Sequence, residues 1–217
     1  MFRRVLCGLA IVGAIATGPA RAATVDVTVT DSKGAPAANA VVSLIADAPG
    51  DAIASHAPAK SVIDQRHETF LPLVVVVRKG GAVVFTNNDA TMHQVYSFSP
   101  IRQFQFEIDQ GQVSKPIVFE KPGVAAIGCN IHDNMVAYVF VADAPFVAIT
   151  DAQGRAEIRD VPDGSYRATV WHPQLRIGKQ PAPSAVAVGA NGASLSLSIP
   201  LSASAMPGLS HMHKTDY

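Results

Sequence analysis

The stretch VDVTVTDSKGAPAANAVVSLI (25–45) limits what this chain can fold into. Val25, Val27 and Val29 alternate with polar residues, the chain turns at Asp31-Ser32-Lys33-Gly34, and Val41, Val42 and Leu44 resume the apolar pattern. A period of two puts successive side chains on opposite faces of a strand and does not fit an amphipathic helix. The same punctuation returns in FVAITDAQGRAEIRDVPDGSYRATVWHP (146–173). It reads as strand, Asp151–Gly154 turn, strand, Pro162-Asp163-Gly164 turn, strand. SAVAVGANGASLSLSIPL (184–201) adds two strands around Asn191-Gly192. Between these blocks the strand candidates are Leu73–Val77, Ala82–Thr86, Gln94–Phe98, Gln112–Phe119, Val124–Cys129 and Met135–Val141. ADAPGDAIASHAPAK (46–60) has no period and reads as a linker. No 3.6-residue period is sustained after residue 22, so the expected class is all-β, with sandwich architecture.

The first 22 residues stand apart. MFRRVLCGLAIVGAIATGPARA opens with Arg3 and Arg4, runs through a short apolar middle and ends Ala20-Arg21-Ala22. That is the build of a secretory signal peptide, and the apolar part is short for a bilayer span, the alternative being an uncleaved anchor. Cleavage after Ala22 implies a periplasmic protein with no membrane span in the mature chain. It removes Arg3, Arg4 and Arg21, taking 17 basic residues to 14 against 17 acidic ones, a net charge near −3. A mildly acidic chain without a basic stripe is not built for nucleic acid. Cleavage also removes Cys7, leaving Cys129 alone. A lone cysteine in an oxidising compartment needs a reason: intermolecular pairing, burial, or a reactive or ligating role.

GCNIHDNM (128–135) offers one. Cys129, His132 and Met135 sit three residues apart on one short loop between strand candidates. A thiolate, two imidazoles and a weak axial thioether make a set that holds copper through both of its oxidation states. The second imidazole has to come from elsewhere, and VVFTNNDATMHQVYSF (83–98) supplies His93 at the start of a strand after an Asn-Asn-Asp turn. Zinc is the other candidate metal, although structural zinc sites do not use methionine. Taken singly, Cys129 and Met135 are also ordinary core residues and His132 an ordinary loop residue. His67, His172 and His56 read as loop, strand-end and linker residues. His211 and His213, in the flexible tail 203–217, form a loose metal-binding cue by composition alone.

PGVAAIGCNIHDNMVAYVFV (122–141) resembles the ligand loop and flanking strands of the cupredoxins, the blue copper proteins, and VVFTNNDATMHQV resembles their upstream histidine segment. The C-x2-H-x2-M spacing is similar to that of amicyanin, the cupredoxin of methylamine utilization. The resemblance implies a Greek-key β-sandwich over 61–142. It implies one type 1 copper ion on His93, Cys129, His132 and Met135, with no catalytic residues. It also implies one-electron transfer between redox partner proteins, with the His132 edge as the exit. Gln94 departs from the asparagine that many relatives carry after the first histidine. The outer blocks resemble the two ends of a carboxypeptidase-regulatory-like domain, a small transthyretin/Ig-like β-sandwich: D-x-x-G-x-P-x-x-x-A-x-V first, T-D-x-x-G-x-x-x-I-x-x-V-P-x-G-x-Y second. Residues 24–50 and 143–202 are therefore expected to form one sandwich, with 61–142 inserted in it. Three consecutive segments with a local N-terminal hairpin are the simpler alternative. Two other functions fit the same residues: a copper carrier, chaperone or sensor, and an envelope binding module with a structural metal.

Overall fold

The computed structural model describes residues 22–48, 55–175 and 178–201. The expected leader, apart from Ala22, and the tail 203–217 with His211 and His213 lie outside the described residues. Regular structure among the described residues is all strand. The strands are β1 (Ala22–Asp31), β2 (Val41–Ala46), β3 (Lys60–Arg66), β4 (Thr69–Leu71), β5 (Val74–Arg78), β6 (Gly81–Asn87), β7 (His93–Ser97) and β8 (Phe104–Ile108). The chain continues through β9 (Ile117–Phe119), β10 (Gly123–Cys129), β11 (Val136–Ala142), β12 (Phe146–Ile149), β13 (Arg155–Pro162), β14 (Gly164–Trp171), β15 (Ser184–Val188) and β16 (Ala193–Ile199). Among the described residues no helix is long and apolar enough to cross a membrane.

Four sheets form, in the orders β13-β1-β16, β12-β2-β14-β15, β5-β11-β10-β7-β8 and β4-β3-β6-β9. The first two are built from the two ends of the chain, the last two from β3 to β11. β1 and β2 do not make a hairpin: β1 lies between β13 and β16, and β2 between β12 and β14. The intervening segment crosses from one sheet to the other because Val25, Val27 and Val29 face Val42 and Leu44 across a shared core. β13 and β14 likewise belong to different sheets.

Two loops in this pair of sheets are built alike. Asp31 Oδ1 accepts the amides of Lys33 and Ala35, and Asp151 Oδ1 those of Gln153 and Arg155. In each, the glycine amide returns to the aspartate carbonyl, and Gly34 and Gly154 have φ of 86° and 70°. The T-D-x-x-G signature at 30–34 and 150–154 is thus one local structure used twice.

Three apolar clusters hold the sheets in layers. One fills the space between the first two sheets, centred on Leu44, Phe146, Tyr166 and Ile199. Another fills the space between the last two, around Ile63, Phe70, Phe85, Phe119 and Ile127. The third joins the sandwiches: Val74 and Val76 of β5 and Tyr138 and Phe140 of β11 meet Val41, Val147, Ile149 and Trp171. This explains the unbroken run Val74–Val77. Val75 and Val77 face one core, Val74 and Val76 the other, so no position is left for a polar residue.

β3, β4 and β8 extend the strand set expected from sequence, and β9 occupies only the end of the expected 112–119 strand. β3 is hidden because its alternation is reversed in polarity: Val62 points outward, whereas Gln65 is fully buried.

His172, just after β14, is buried. It donates from Nε2 to the Ala38 carbonyl at 2.8 Å and accepts the Gln174 amide at Nδ1. Burial lowers its pKa below the ordinary 6.5, partly opposed by the bond to Ala38. The unfolded chain therefore takes up a proton that the folded protein resists. The stability tied to the neutral ring is complete above about pH 6.5 and falls as pH drops through that value toward the lower folded pKa. Urea midpoints at about pH 7.5 and about pH 5.5 should show a smaller acid loss in His172→Gln than in the wild type. An equal loss would remove His172 as the cause.

Candidate metal centre

The centre forms where the third sheet reaches one end of its sandwich. β10 pairs with β7 through Cys129↔Val95 and Gly128↔Tyr96, which sets the last residue of β10 beside the third residue of β7. His93, the first residue of β7, thus meets Cys129 across 36 positions of sequence. β10 and β11 pair from Gly123↔Val141 to Gly128↔Val136, so the loop 130–135 must close tightly and carries His132 back over the sulfur. The Met135 amide donates to the His132 carbonyl at 3.0 Å, and Met135 packs in the same cluster as Cys129.

Cys129 Sγ lies 3.7 Å from His93 Nδ1 and 4.0 Å from His132 Nδ1. All three atoms lie within 4.8 Å of one another. A metal bonded to sulfur at about 2.3 Å and to imidazole nitrogen at about 2.0 Å, with trigonal angles, separates sulfur and nitrogen by about 3.7 Å. The two sulfur–nitrogen separations lie within 0.3 Å of that value. Cys129 and His93 are buried; His132 keeps 22% of its side chain exposed. Cys129 is a free thiol.

Both rings present Nδ1 to the sulfur, and each has a carboxylate near its far nitrogen. His93 Nε2 donates to Asp89 Oδ2 at 2.8 Å, and His132 Nε2 lies 3.5 Å from Glu68 Oε1. The hydrogen bond to Asp89 fixes the His93 tautomer and leaves its near nitrogen free as a ligand. Burial alone would raise the pKa of Asp89. Hydrogen bonds from His93 and from the amides of Glu68 and His67 outweigh it and hold the group below its ordinary value.

The loop before His93 is fixed from inside. Asn87 is buried; its Nδ2 donates to the carbonyls of Thr91 and Ile108, and its Oδ1 accepts the Asp89 amide. On the other side Gln94 braces the cysteine loop. Its Oε1 accepts Asn130 Nδ2 at 2.7 Å, and its carbonyl accepts the Asn130 amide. The glutamine that departs from the expected asparagine therefore ties β7 to the ligand loop. Gly128 leaves room for Tyr96, whose ring would lie 2.6–2.9 Å from a Cβ there.

Of the expected site residues, the structure brings His93, Cys129 and His132 together and buries Met135 in the adjoining core. His67 sits on the β3–β4 turn and His172 at the end of β14, both outside the cluster; His56 is exposed with its ring against Phe146. Asp89, Glu68 and Asn87 are the contributors that sequence reasoning did not single out. The visible signal for the first was an aspartate four residues ahead of a candidate ligand in a polar turn. Nothing in the sequence marks Glu68.

No family model matches the sequence, and no curated protein matches it. Among solved structures, parts of the chain are similar to a purple cupredoxin from Nitrosopumilus maritimus, at 23% identity over 38% of this chain and 99% of that one, with a TM-score of 0.33. Amicyanin from Paracoccus versutus is 20% identical over 46% of this chain and 98% of its own, with a TM-score of 0.35. A copper-containing nitrite reductase from Thermus scotoductus is 22% identical over 46% of this chain and 25% of its own, with a TM-score of 0.36.

Replacing Asn87 with alanine strips partners from two carbonyls and an amide in a buried loop. The expected cost is on the order of 3 kcal/mol, read as a lower urea midpoint of the metal-free protein. A change within about 0.5 kcal/mol, the range of surface substitutions, would show that Asn87 does not hold the loop.

Proposed function

We propose that this protein is a periplasmic type 1 (blue) copper protein that passes single electrons between redox partner proteins. The observation that carries the reading is Cys129 Sγ set 3.7 Å and 4.0 Å from two imidazole nitrogens that face it. His93 Nδ1, Cys129 Sγ and His132 Nδ1 would hold the ion, with the Met135 thioether as the weak axial ligand. A thiolate, two imidazoles and a thioether favour copper, and a closed structural zinc site would draw its fourth ligand from nitrogen, sulfur of cysteine, or oxygen. Copper held there supplies a one-electron Cu(II)/Cu(I) couple.

The rest is the work of the chain. Cys129 enters from a paired strand, and His93 is locked by Asp89, so neither ligand has far to move between charge states. The core around Phe70, Ile127 and Val139 keeps water off the sulfur. His132 is the exposed edge of the cluster, flanked by Ile131 at 49% exposure, which gives a partner protein an apolar surface beside the ring. Filling all four ligand positions from the chain leaves no place for a substrate, which favours a carrier over an enzyme. The leader-like start and the free thiol of Cys129, the one cysteine among the described residues, support export: ligation explains how it persists in an oxidising compartment.

Cu(II) added to the metal-free protein should give an intense thiolate-to-copper absorption and a narrow copper hyperfine splitting in EPR. Reduction and reoxidation should leave the metal in place, whereas a copper carrier would release it to an acceptor. Cys129→Ser should lose the absorption. A colourless wild-type protein with no narrow-hyperfine signal would overturn the reading.

A further inference from the structure

The turn between β3 and β4 has two residues, His67 and Glu68, with φ of 50° and 54°. Positive φ at both central positions defines the mirror-image turn that joins short hairpins, and it strongly favours Asn-Gly or Gly-Gly. Neither residue here is glycine or asparagine, so the turn is held against its own backbone preference. Such outliers persist only where the surroundings over-determine them, and they concentrate at functional sites.

What holds the turn is the centre. Asp89 accepts the His67 amide on Oδ1 and the Glu68 amide on Oδ2, and the same Oδ2 accepts a hydrogen bond from His93 Nε2. From the turn, Glu68 extends its carboxylate to 3.5 Å from His132 Nε2. Thr69 Oγ1 closes the turn on the His67 carbonyl. One hairpin tip is therefore linked to the far side of both imidazoles. To one it is joined through the buried Asp89, and to the other directly through an exposed glutamate.

We propose that the β3–β4 turn is a strap, with Asp89 and Glu68 as positioning residues that aim both imidazoles at Cys129. The proposal deepens, and in its metal arm rests on, the copper reading above. Its structural half, the aim of His93, does not need a metal. By linkage, a strap that favours the metal-ready arrangement is itself tightened when metal binds.

The first measurement uses metal-free protein. Nitrogen NMR of the histidine rings should find His93 as the Nε2–H tautomer in the wild type and a mixture of tautomers in Asp89→Asn. An unchanged tautomer in the variant overturns the strap, whatever the protein does with copper. The second measurement uses Cu(II). Asp89→Asn should weaken binding about 10–100-fold, the range for loss of an outer partner of a metal-bound histidine. Binding should also slow exchange of the His67 and Glu68 amides. A wild type that binds copper without protecting these amides overturns the proposal. A wild type that binds no copper sinks the copper reading instead and leaves the tautomer to decide the strap.

Glu68→Gly separates positioning from mere support. Glycine accepts the positive φ, so the thermal midpoint should hold or rise. Loss of the carboxylate beside His132 should raise the reduction potential, since a nearby negative charge favours the more positive ion. A potential that stays put, or that moves only when stability falls, counts against Glu68 as a positioning residue.

Discussion

The centre depends on a very short piece of backbone pairing. Two residue pairs, Cys129↔Val95 and Gly128↔Tyr96, join β10 to β7 and bring two side chains of the candidate centre, 36 residues apart, into contact. A slip of one residue would turn Cys129 to the outer face of the sheet, where Gly128 now sits under Tyr96. The register is protected by alternation. Ala125, Ile127 and Cys129 face the core on β10, and Val95 faces it on β7, so a slip would also expose apolar side chains. The Gln94–Asn130 bonds fasten the pairing just beyond its last residue.

Around this pairing the protein buries polar groups at an unusual place, the end of a hydrophobic core. Asn87, Asp89 and His93 are all buried, and each is hydrogen-bonded. Buried polar groups are tolerable only when satisfied, and once satisfied they favour a single arrangement. The chain Asn87–Asp89–His93 thus converts the cost of burial into direction: the only well-placed nitrogen lone pair left on His93 points at the sulfur. Gln65 Oε1 is buried on the neighbouring β3 with no partner among the described residues, so satisfaction at this end of the sandwich is not complete there.

Much of the architecture was legible in the sequence, for a physical reason. Val25, Val27 and Val29 alternate because one side of β1 meets a core and the other meets solvent. The all-β class follows from such patterns. The closeness of Cys129 and His132 was also legible, because three residues on one loop leave little freedom. What the sequence concealed is what depends on long-range pairing. β3 hides behind an outward valine and an inward glutamine. Glu68 belongs to the centre only because β3 pairs with β6 and so delivers its turn to the loop after Asn87. The crossing of β1 to β2 between sheets was hidden as well, since a turn signal does not say whether the next strand pairs with the last or faces it. β8 is different: Phe104, Phe106 and Ile108 alternate with Gln105 and Glu107, and nothing physical obscures it.

The second sandwich bears on the centre through β11. That strand starts one residue after Met135, and both of its faces are packed: Ala137, Val139 and Val141 are buried in one core, and Tyr138 and Phe140 lie partly buried against Trp171 in the other. A strand packed on two sides cannot shift or rotate without disturbing both cores, because protein interiors are close-packed. The loop 130–135 therefore has unlike anchors. Both of its ends belong to the six-pair β10–β11 ladder; the entry is tied further to β7 by two pairs and the Gln94–Asn130 bonds, the exit by the apolar contact between two sandwiches. Cys129 ends the entry strand, Met135 adjoins the exit, and His132 lies between them. The polar braces, Gln94 on Asn130 and Asp89 on His93, are placed on the β7 side. Apolar packing can fix a strand but cannot orient a ring, so the fold uses it where a strand must be held and hydrogen bonds where an imidazole must be aimed.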